Sequence, residues 1–406
     1  MMTGNVVQII QAFGILLCLT PQPTRAQQIT ATSLTLTDSL ICRSMENVSC
    51  SENTLEINYI LETSAWRQPS AGITKAVEYI QNYGIPEGKD CRIIVLDNNI
   101  PQFSLYYLHN SQRVPPNFKS IRQQWDVSYN IGDEWNLLRK LPRSNSSLFK
   151  ADLVIYPELA LKNLVITQIY QVLFNLSPAL EISFWPGMKF VGQIVFSIYC
   201  DGYSESDKKI HPRVIALSQS FRLPRRTFAR VCAGMFYSDR YGADLTLRHY
   251  LHNERFSVEG RLGYTGPGRW EGFTIHYGKE FRLTWSIGGT YFCPRYNTQF
   301  SIKAEQYLLQ EKGVRCDLIR HFNHCSIGFY AMKAQGALKN GGFRFQIALP
   351  PYRNKRSRWG RIVPSSQMGM VYNAGNELYY YKNYRALPED NIMKDNGFNP
   401  FFILNN

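Results

Sequence analysis

Residues 254–266, Glu-Arg-Phe-Ser-Val-Glu-Gly-Arg-Leu-Gly-Tyr-Thr-Gly, alternate between two kinds of side chain. Phe256, Val258, Leu262 and Tyr264 share one parity, while Arg255, Ser257, Glu259 and Arg261 share the other. Neighbouring side chains of an extended chain point to opposite faces, so this is a strand with one apolar and one charged face. The pattern recurs from residue 151 onward. Ala243, Leu245 and Leu247 oppose Asp244, Thr246 and Arg248. Leu283, Trp285 and Ile287 oppose Arg282, Thr284 and Ser286, and Phe343, Phe345 and Ile347 oppose Arg344 and Gln346. A chain of such strands folds as a sheet with one face against apolar surroundings.

The alternation predicts strands over 152–161, 168–183, 188–199, 227–237, 241–251, 255–264, 270–277, 282–292, 298–308, 314–322, 326–332 and 342–349, with further ones over 367–372 and 377–384. A polar loop spans 201–212, and most other connections are short turns with Gly, Asn, Asp or Pro. This is meander spacing. The expected fold is mainly β: an antiparallel up-and-down transmembrane β-barrel of about 12–14 strands over 150–386, preceded by a small α/β domain. The competing reading is a soluble antiparallel sandwich whose polar face meets water. Two features favour the membrane. The strands approach the ~9–11 residues that span a bilayer. Tyr237, Tyr241, Tyr250, Tyr264, Tyr291 and Phe292 stand at strand ends, where aromatic girdles sit. On a barrel, the charged parity becomes an Arg-rich interior: Arg248, Arg255, Arg261, Lys303, Arg315 and Arg344, interleaved with Asp244, Glu259, Glu305 and Asp317.

Ahead of the strands, residues 8–19 form a short apolar stretch followed by Pro21, Pro23 and Thr24-Arg25-Ala26. This reads as a signal peptide over 1–26. Residues 27–53 are a polar lead-in with room for one strand. Over 54–109, a strand at 55–61, a helix at 70–83 with Ser70 as N-cap and Gly84 past its end, and strands at 91–97 and 102–109 make a small α/β domain, expected in the periplasm. Residues 110–149 are a linker or plug-like segment with Pro115, Pro116 and Pro142 and a helical turn near Trp125 or Trp135; 387–406 is a C-terminal tail.

The formal charge is +14. Such a balance directs attention to polyanions, and export makes acidic polysaccharide or lipid phosphates better partners than nucleic acid. Tyr352-Arg353-Asn-Lys355-Arg356-Ser-Arg358-Trp359-Gly-Arg361 is a basic loop with two aromatics. It is read either as a contact for an acidic glycan or lipid phosphates, or as a solvated loop. Cys42 and Cys50 lie close in sequence, and an oxidising compartment permits a disulfide between them; two free thiols are the other reading. Cys316, His321, His324 and Cys325 have soft-metal chemistry, but turn and strand-face roles fit them better than a metal site. The sequence carries no G-x-S-x-G elbow, P-loop or H-E-x-x-H, so no cofactor, metal or catalytic set is expected. Glu259, Glu305 and Asp317 are the acids an enzyme would use.

Val231-Cys-Ala-Gly-Met-Phe-Tyr-Ser-Asp-Arg-Tyr-Gly-Ala-Asp244, then Arg248-His-Tyr-Leu-His-Asn-Glu-Arg-Phe-Ser-Val-Glu-Gly, resembles the YjbH-like exopolysaccharide biosynthesis family. So do Leu318-Ile-Arg-His-Phe-Asn-His-Cys-Ser-Ile-Gly-Phe-Tyr-Ala and Gly341-Gly-Phe-Arg-Phe-Gln-Ile-Ala-Leu-Pro350, and the strand and helix over 55–83. The resemblance implies an outer-membrane barrel that supports secretion or assembly of an extracellular polysaccharide beside other envelope proteins, with no catalytic residues. The alternatives are a soluble envelope glycan-binding β-protein and a barrel-borne polysaccharide hydrolase or deacylase.

Overall fold

The computed structural model of the protein describes residues 31–66, 68–109, 125–132, 135–164, 168–203, 208–373, 383–391 and 398–405. The signal segment over 1–26 and most of the strand expected at 377–384 lie outside these residues.

The first sheet has five strands in sequence order: β1 (Glu46–Glu52), β2 (Glu56–Glu62), β3 (Asp90–Asp97), β4 (Ile100–Tyr107) and β5 (Trp125–Ser128). Strands β2 and β3 are parallel and the other neighbours antiparallel, because a helix crosses between β2 and β3. That helix, Pro69–Tyr83, starts with Pro at its first turn and buries Ile73, Ala76, Val77 and Ile80 along one face. Gln68, not Ser70, is its N-cap; Ser70 lies buried in the first turn. At the far end, Gly84 N–H donates to the Ile80 carbonyl at 2.7 Å, and the Tyr59 hydroxyl donates to the Gly84 carbonyl at 2.6 Å.

The lead-in is more ordered than its composition predicts. Ala31–Cys42 is a helix that inserts Leu36 and Leu40 into the same core, and β1 is its one strand. Of the segment expected as a linker or plug over 110–149, residues 110–124 and 133–134 lie outside the described residues, and the rest packs with the first sheet. Trp125–Ser128 is the edge strand of this first sheet, and Trp135–Leu138 is a helical turn that covers Ile60, Ile94 and Leu96 on its other face.

The second sheet holds 15 strands. They are β6 (Ala151–Leu164), β7 (Gln168–Ile182), β8 (Met188–Asp201), β9 (His211–Leu223), β10 (Thr227–Phe236), β11 (Arg240–Tyr250), β12 (Phe256–Glu271), β13 (Thr274–Tyr277), β14 (Arg282–Cys293), β15 (Thr298–Gln306), β16 (Lys312–His321), β17 (Cys325–Ala334), β18 (Asn340–Ala348), β19 (Gly360–Pro364) and β20 (Gln367–Asn373). From β6 to β18 it is an antiparallel meander, with β13 folded back on the end of β12 alone. The count exceeds the expected range because β9 and β19 were not foreseen.

The two edges of this sheet meet one chain segment. Residues 360–364 run parallel to β6, and Ser365 N–H donates to the Ile155 carbonyl at 2.7 Å. Two residues further on, 367–373 run antiparallel to β18. The segment thus bridges β6 and β18, while among the described residues no ladder joins those two strands and closes the sheet into a barrel.

The faces follow the sequence parity. Leu217, Val231, Leu247, Leu262, Ile287, Ile302, Leu318, Phe329 and Phe345 stand exposed on one face, strand after strand, with Ile287 at 57% and Phe329 at 61%. The opposite face is charged from β11 to β18. From β6 to β10 it mixes small and apolar side chains such as Ala179, Val191, Val214 and Ala216 with the charged Asp152, Glu181, Lys189 and Arg230.

Candidate functional site: the charged face beneath the α/β domain

The register aligns the charged parity into rows. Arg248, Glu259, Gly288, Lys303 and Arg315 occupy successive strands at one level. Arg248 Nε donates to Glu259 at 2.8 Å, and Lys303 reaches the same carboxylate at 3.7 Å across Gly288. At the next level, Arg315 grips Asp317 through two hydrogen bonds of 2.9 and 2.7 Å, and Arg344 stands 3.5 Å from it. Arg261 donates to buried Asp244 at 2.7 Å, and Glu305 accepts from the Tyr307 hydroxyl at 2.9 Å. Two carboxylates, Glu259 and Asp317, therefore face four cations, Arg248, Lys303, Arg315 and Arg344. A paired geometry of this kind holds charges off solvent and leaves the cluster positive.

Nine of the ten expected interior residues lie on this face. Arg255 does not: it is exposed in the turn before β12, because the strand begins one residue later at Phe256. The charge that matters in that turn is Glu254. It accepts from Ser128 Oγ at 2.7 Å, from Tyr129 N–H at 2.8 Å and from Arg226 at 3.3 Å. These bonds fasten the α/β domain to the β11–β12 and β9–β10 hairpins. Asn98 reinforces the junction, donating to the Met188 carbonyl at 3.0 Å and accepting from Gly187 N–H at 2.9 Å. The α/β domain thereby caps one end of the large sheet.

The basic loop is part of this junction. Arg356 donates to both oxygens of Asp152, at 2.8 and 2.6 Å, and to Glu46 at 2.6 Å. Arg361 donates to Asp152 at 2.9 Å and to the Ser64 carbonyl at 2.8 Å. Buried between Asp152 of β6 and Glu46 of β1, these two arginines join the sheets and offer nothing to an outside glycan or lipid phosphate. Arg353 lies over the Trp66 ring and donates to Ser44 at 2.9 Å. Tyr352, Arg353, Lys355, Arg358 and Trp359 are its exposed charged and aromatic members, with Trp359 at 78%.

A feature missed by sequence reasoning fills much of the interior. Residues 383–391 lie along the charged and small-residue face. Tyr384 donates to Asp244 at 2.7 Å and stacks on Phe236, with ring centroids 5.5 Å apart. Asp390 accepts from Arg230 at 2.7 Å, and Glu389 from Lys189 at 2.8 Å. The short helix Pro400–Asn405 follows beneath the cap, with Phe402 beside His321 and Ile403 in the core of the α/β domain. The described parts of the tail therefore pack against this face and beneath the cap. The parity of Phe228, Arg230 and Cys232 could have revealed Arg230; nothing in the sequence marks 383–391 as its partner.

Between cap, strands and this segment lies a cavity of about 460 Å³. Its walls bring Arg230, Arg248, Arg261, Lys303, Arg344 and Arg385 together with Asp97, Glu259, Asp317 and Asp390. Thr246, Thr290, Gln299 and Ser301 add hydroxyl and amide groups, and Tyr129, Phe228 and Tyr250 form an aromatic cluster at its capped end. Such a chamber suits a polar, anionic guest.

The eight cysteines among the described residues are free, Cys42 and Cys50 included. Cys42 is exposed at a helix end, whereas Cys50 sits in β1 beside Tyr59, its thiol pushed up to about 12 by burial and by Glu52. His321 is buried against Ser326 and Gln299, and the described residues contain no cluster of three or more metal-ligating side chains.

The fold and site together define a class: a large antiparallel sheet with an apolar outer face and a charged, partly filled inner face, capped by an α/β domain. No protein-family model matches the chain, and no curated protein matches it in sequence. Among solved structures it is similar to OmpT folded in vitro, an outer membrane protein of Vibrio cholerae, at a TM-score of 0.25 and 8% identity, over 47% of this chain and 78% of that one. No helix among the described residues is long and apolar enough to cross a membrane, which says nothing of crossing by strands.

Proposed function

We propose that the protein is an outer-membrane β-barrel that supports secretion or assembly of an extracellular acidic polysaccharide. The observation that carries the membrane reading is the outer face, where Leu, Ile, Val and Phe stand exposed on nearly every strand from β8 to β18. Water leaves that much contiguous apolar surface uncovered only at a cost, whereas lipid covers it without loss. The hairpins fit the same reading. Those at the capped end, such as 224–226 and 251–255, are short, while the opposite end carries the longer 202–210 and 272–281 connections. Short turns face the periplasm in such barrels, which supports a periplasmic α/β domain that would meet the other envelope proteins of polysaccharide export there.

The polymer reading rests on the family resemblance and on the cation-rich chamber. This reading gives Glu259, Glu305 and Asp317 no catalytic part: Glu259 is held by Arg248 and Lys303, Asp317 by Arg315 and Arg344, and Glu305 by Tyr307, so these three acids are engaged in pairing. The test is export by cells carrying Lys303→Gln with Arg385→Gln, two chamber cations whose loss leaves the Arg315–Asp317 and Arg261–Asp244 pairs intact. The expected result is less secreted polymer at an unchanged level of assembled barrel; full export would remove the chamber from the account.

A further inference from the structure

A second cleft lies on the outer surface of the α/β domain, away from the chamber. It has a volume of about 470 Å³ and runs between the end of the helix Ala31–Cys42, the helix Pro69–Tyr83 and the 352–361 loop. Two of its cations lie over aromatic rings. The Arg43 guanidinium is 4.0 Å from the Tyr79 ring centre, and Arg353 is 5.3 Å from that of Trp66. Tyr83 is exposed beside Tyr79, their rings 5.1 Å apart. Lys75 reaches only Glu78, at 3.0 Å, and Glu78 is the one acid in the cleft wall. Among the described residues, no carboxylate pairs with Arg43 or Arg353.

Trp66 is seated there by a glycine: a Cβ on Gly72 would lie 2.6 Å from the indole ring. Its Nε1 is buried and has no hydrogen-bond partner among the described residues.

We infer that this cleft binds an anionic saccharide segment, a uronate-type stretch of the polymer, on the periplasmic side. The exposed Tyr83 ring can take the C–H face of a pyranose ring, and guanidinium groups take a carboxylate through paired N–H donors. Three cations against one already paired acid select a charged sugar over a neutral one. The inference rests on the polymer reading above and places its first contact outside the barrel.

The test uses the full chain in detergent micelles, titrated with a short oligogalacturonate while indole fluorescence and heat are recorded. A maltooligosaccharide of equal length and a single-stranded oligodeoxynucleotide serve as comparators. The expected result is binding of oligogalacturonate alone, weakened at least about tenfold by Arg43→Glu with Lys75→Glu and by Tyr83→Ala. All three positions are exposed, so these variants fold. Lys303→Gln with Arg385→Gln leaves this affinity unchanged. Equal binding of either comparator, or unchanged affinity in the Arg43→Glu, Lys75→Glu variant, overturns the inference. Failure of the wild type to bind overturns it as well, while the barrel and its export role are judged separately by membrane assembly and by secreted polymer.

Discussion

The Tyr384 hydroxyl donates to the Asp244 carboxylate directly above Gly263, the residue paired with Asp244 across β11 and β12. A Cβ at position 263 would overlap that hydroxyl. Gly263 thus opens the space by which the C-terminal segment locks onto the charged face. Gly263→Val is expected to expel Tyr384 and leave Asp244 with Arg261 and the longer Thr246 contact, a loss of about 1–3 kcal/mol for the buried hydrogen bond. Limited proteolysis checks it: the variant is cut within 383–405 under conditions where the wild type is resistant, while the strands remain intact.

Arg356 has the corresponding role at the seam between sheets. Arg356→Ala leaves Asp152 and Glu46 buried with one fewer cation, at a cost of about 3–5 kcal/mol. Hydrogen exchange should accelerate at β1 and β19, where the sheets meet, and remain slow in β12 and β14. Uniform acceleration would mean that the pair stabilises the whole chain and does not specifically join the sheets.

How far the sequence reveals this architecture depends on the signal each element carries. Strict parity over 256–264 identifies β12, assigns its faces and places Glu259 and Arg261 inside. Strand β9 was missed because Leu223-Pro224-Arg225-Arg226 carries no two-residue hairpin signal. Yet Arg225 and Arg226 adopt left-handed φ of 55° and 59°, a conformation usually given to Gly or Asn. Arg226 is held there by the His252 carbonyl and Glu254, which are distant in sequence. The basic loop misled for the same reason: the acids that neutralise Arg356 come from positions 46 and 152. Interior contacts of the tail are likewise long-range, and no local periodicity encodes them.

Glu62 supplies a pH dependence outside the large sheet. Burial, with Asp97 and Glu46 nearby, pushes its carboxyl up to about 7 from 4.5, against hydrogen bonds from Asn99 and Asn47. The folded state then holds a proton that the unfolded chain releases. The associated stability is full below pH 4.5 and is lost as pH rises toward 7, a change of about 3 kcal/mol. Thermal unfolding of the α/β domain should therefore fall between pH 5 and 8 in the wild type and stay flatter in Glu62→Gln. Parallel curves would contradict the protonated carboxyl.

The outer face gives a depth-dependent prediction. Leu262→Arg and Phe329→Arg, in mid-strand, should cost about 2–4 kcal/mol of membrane stability, and Phe256→Arg, at the capped end of β12, about 0–1. Urea titration of the protein folded into lipid vesicles measures these costs. Equal, negligible effects at all three positions would indicate a face that meets water.

The most direct measurement is electrophoresis of isolated outer membranes with and without boiling. A protein resistant to carbonate extraction, whose unboiled form migrates differently from the boiled form, is the result expected of a sheet that spans the membrane. A protein that washes off with carbonate and shows no shift on boiling would contradict the barrel and leave a water-soluble β-protein of the envelope.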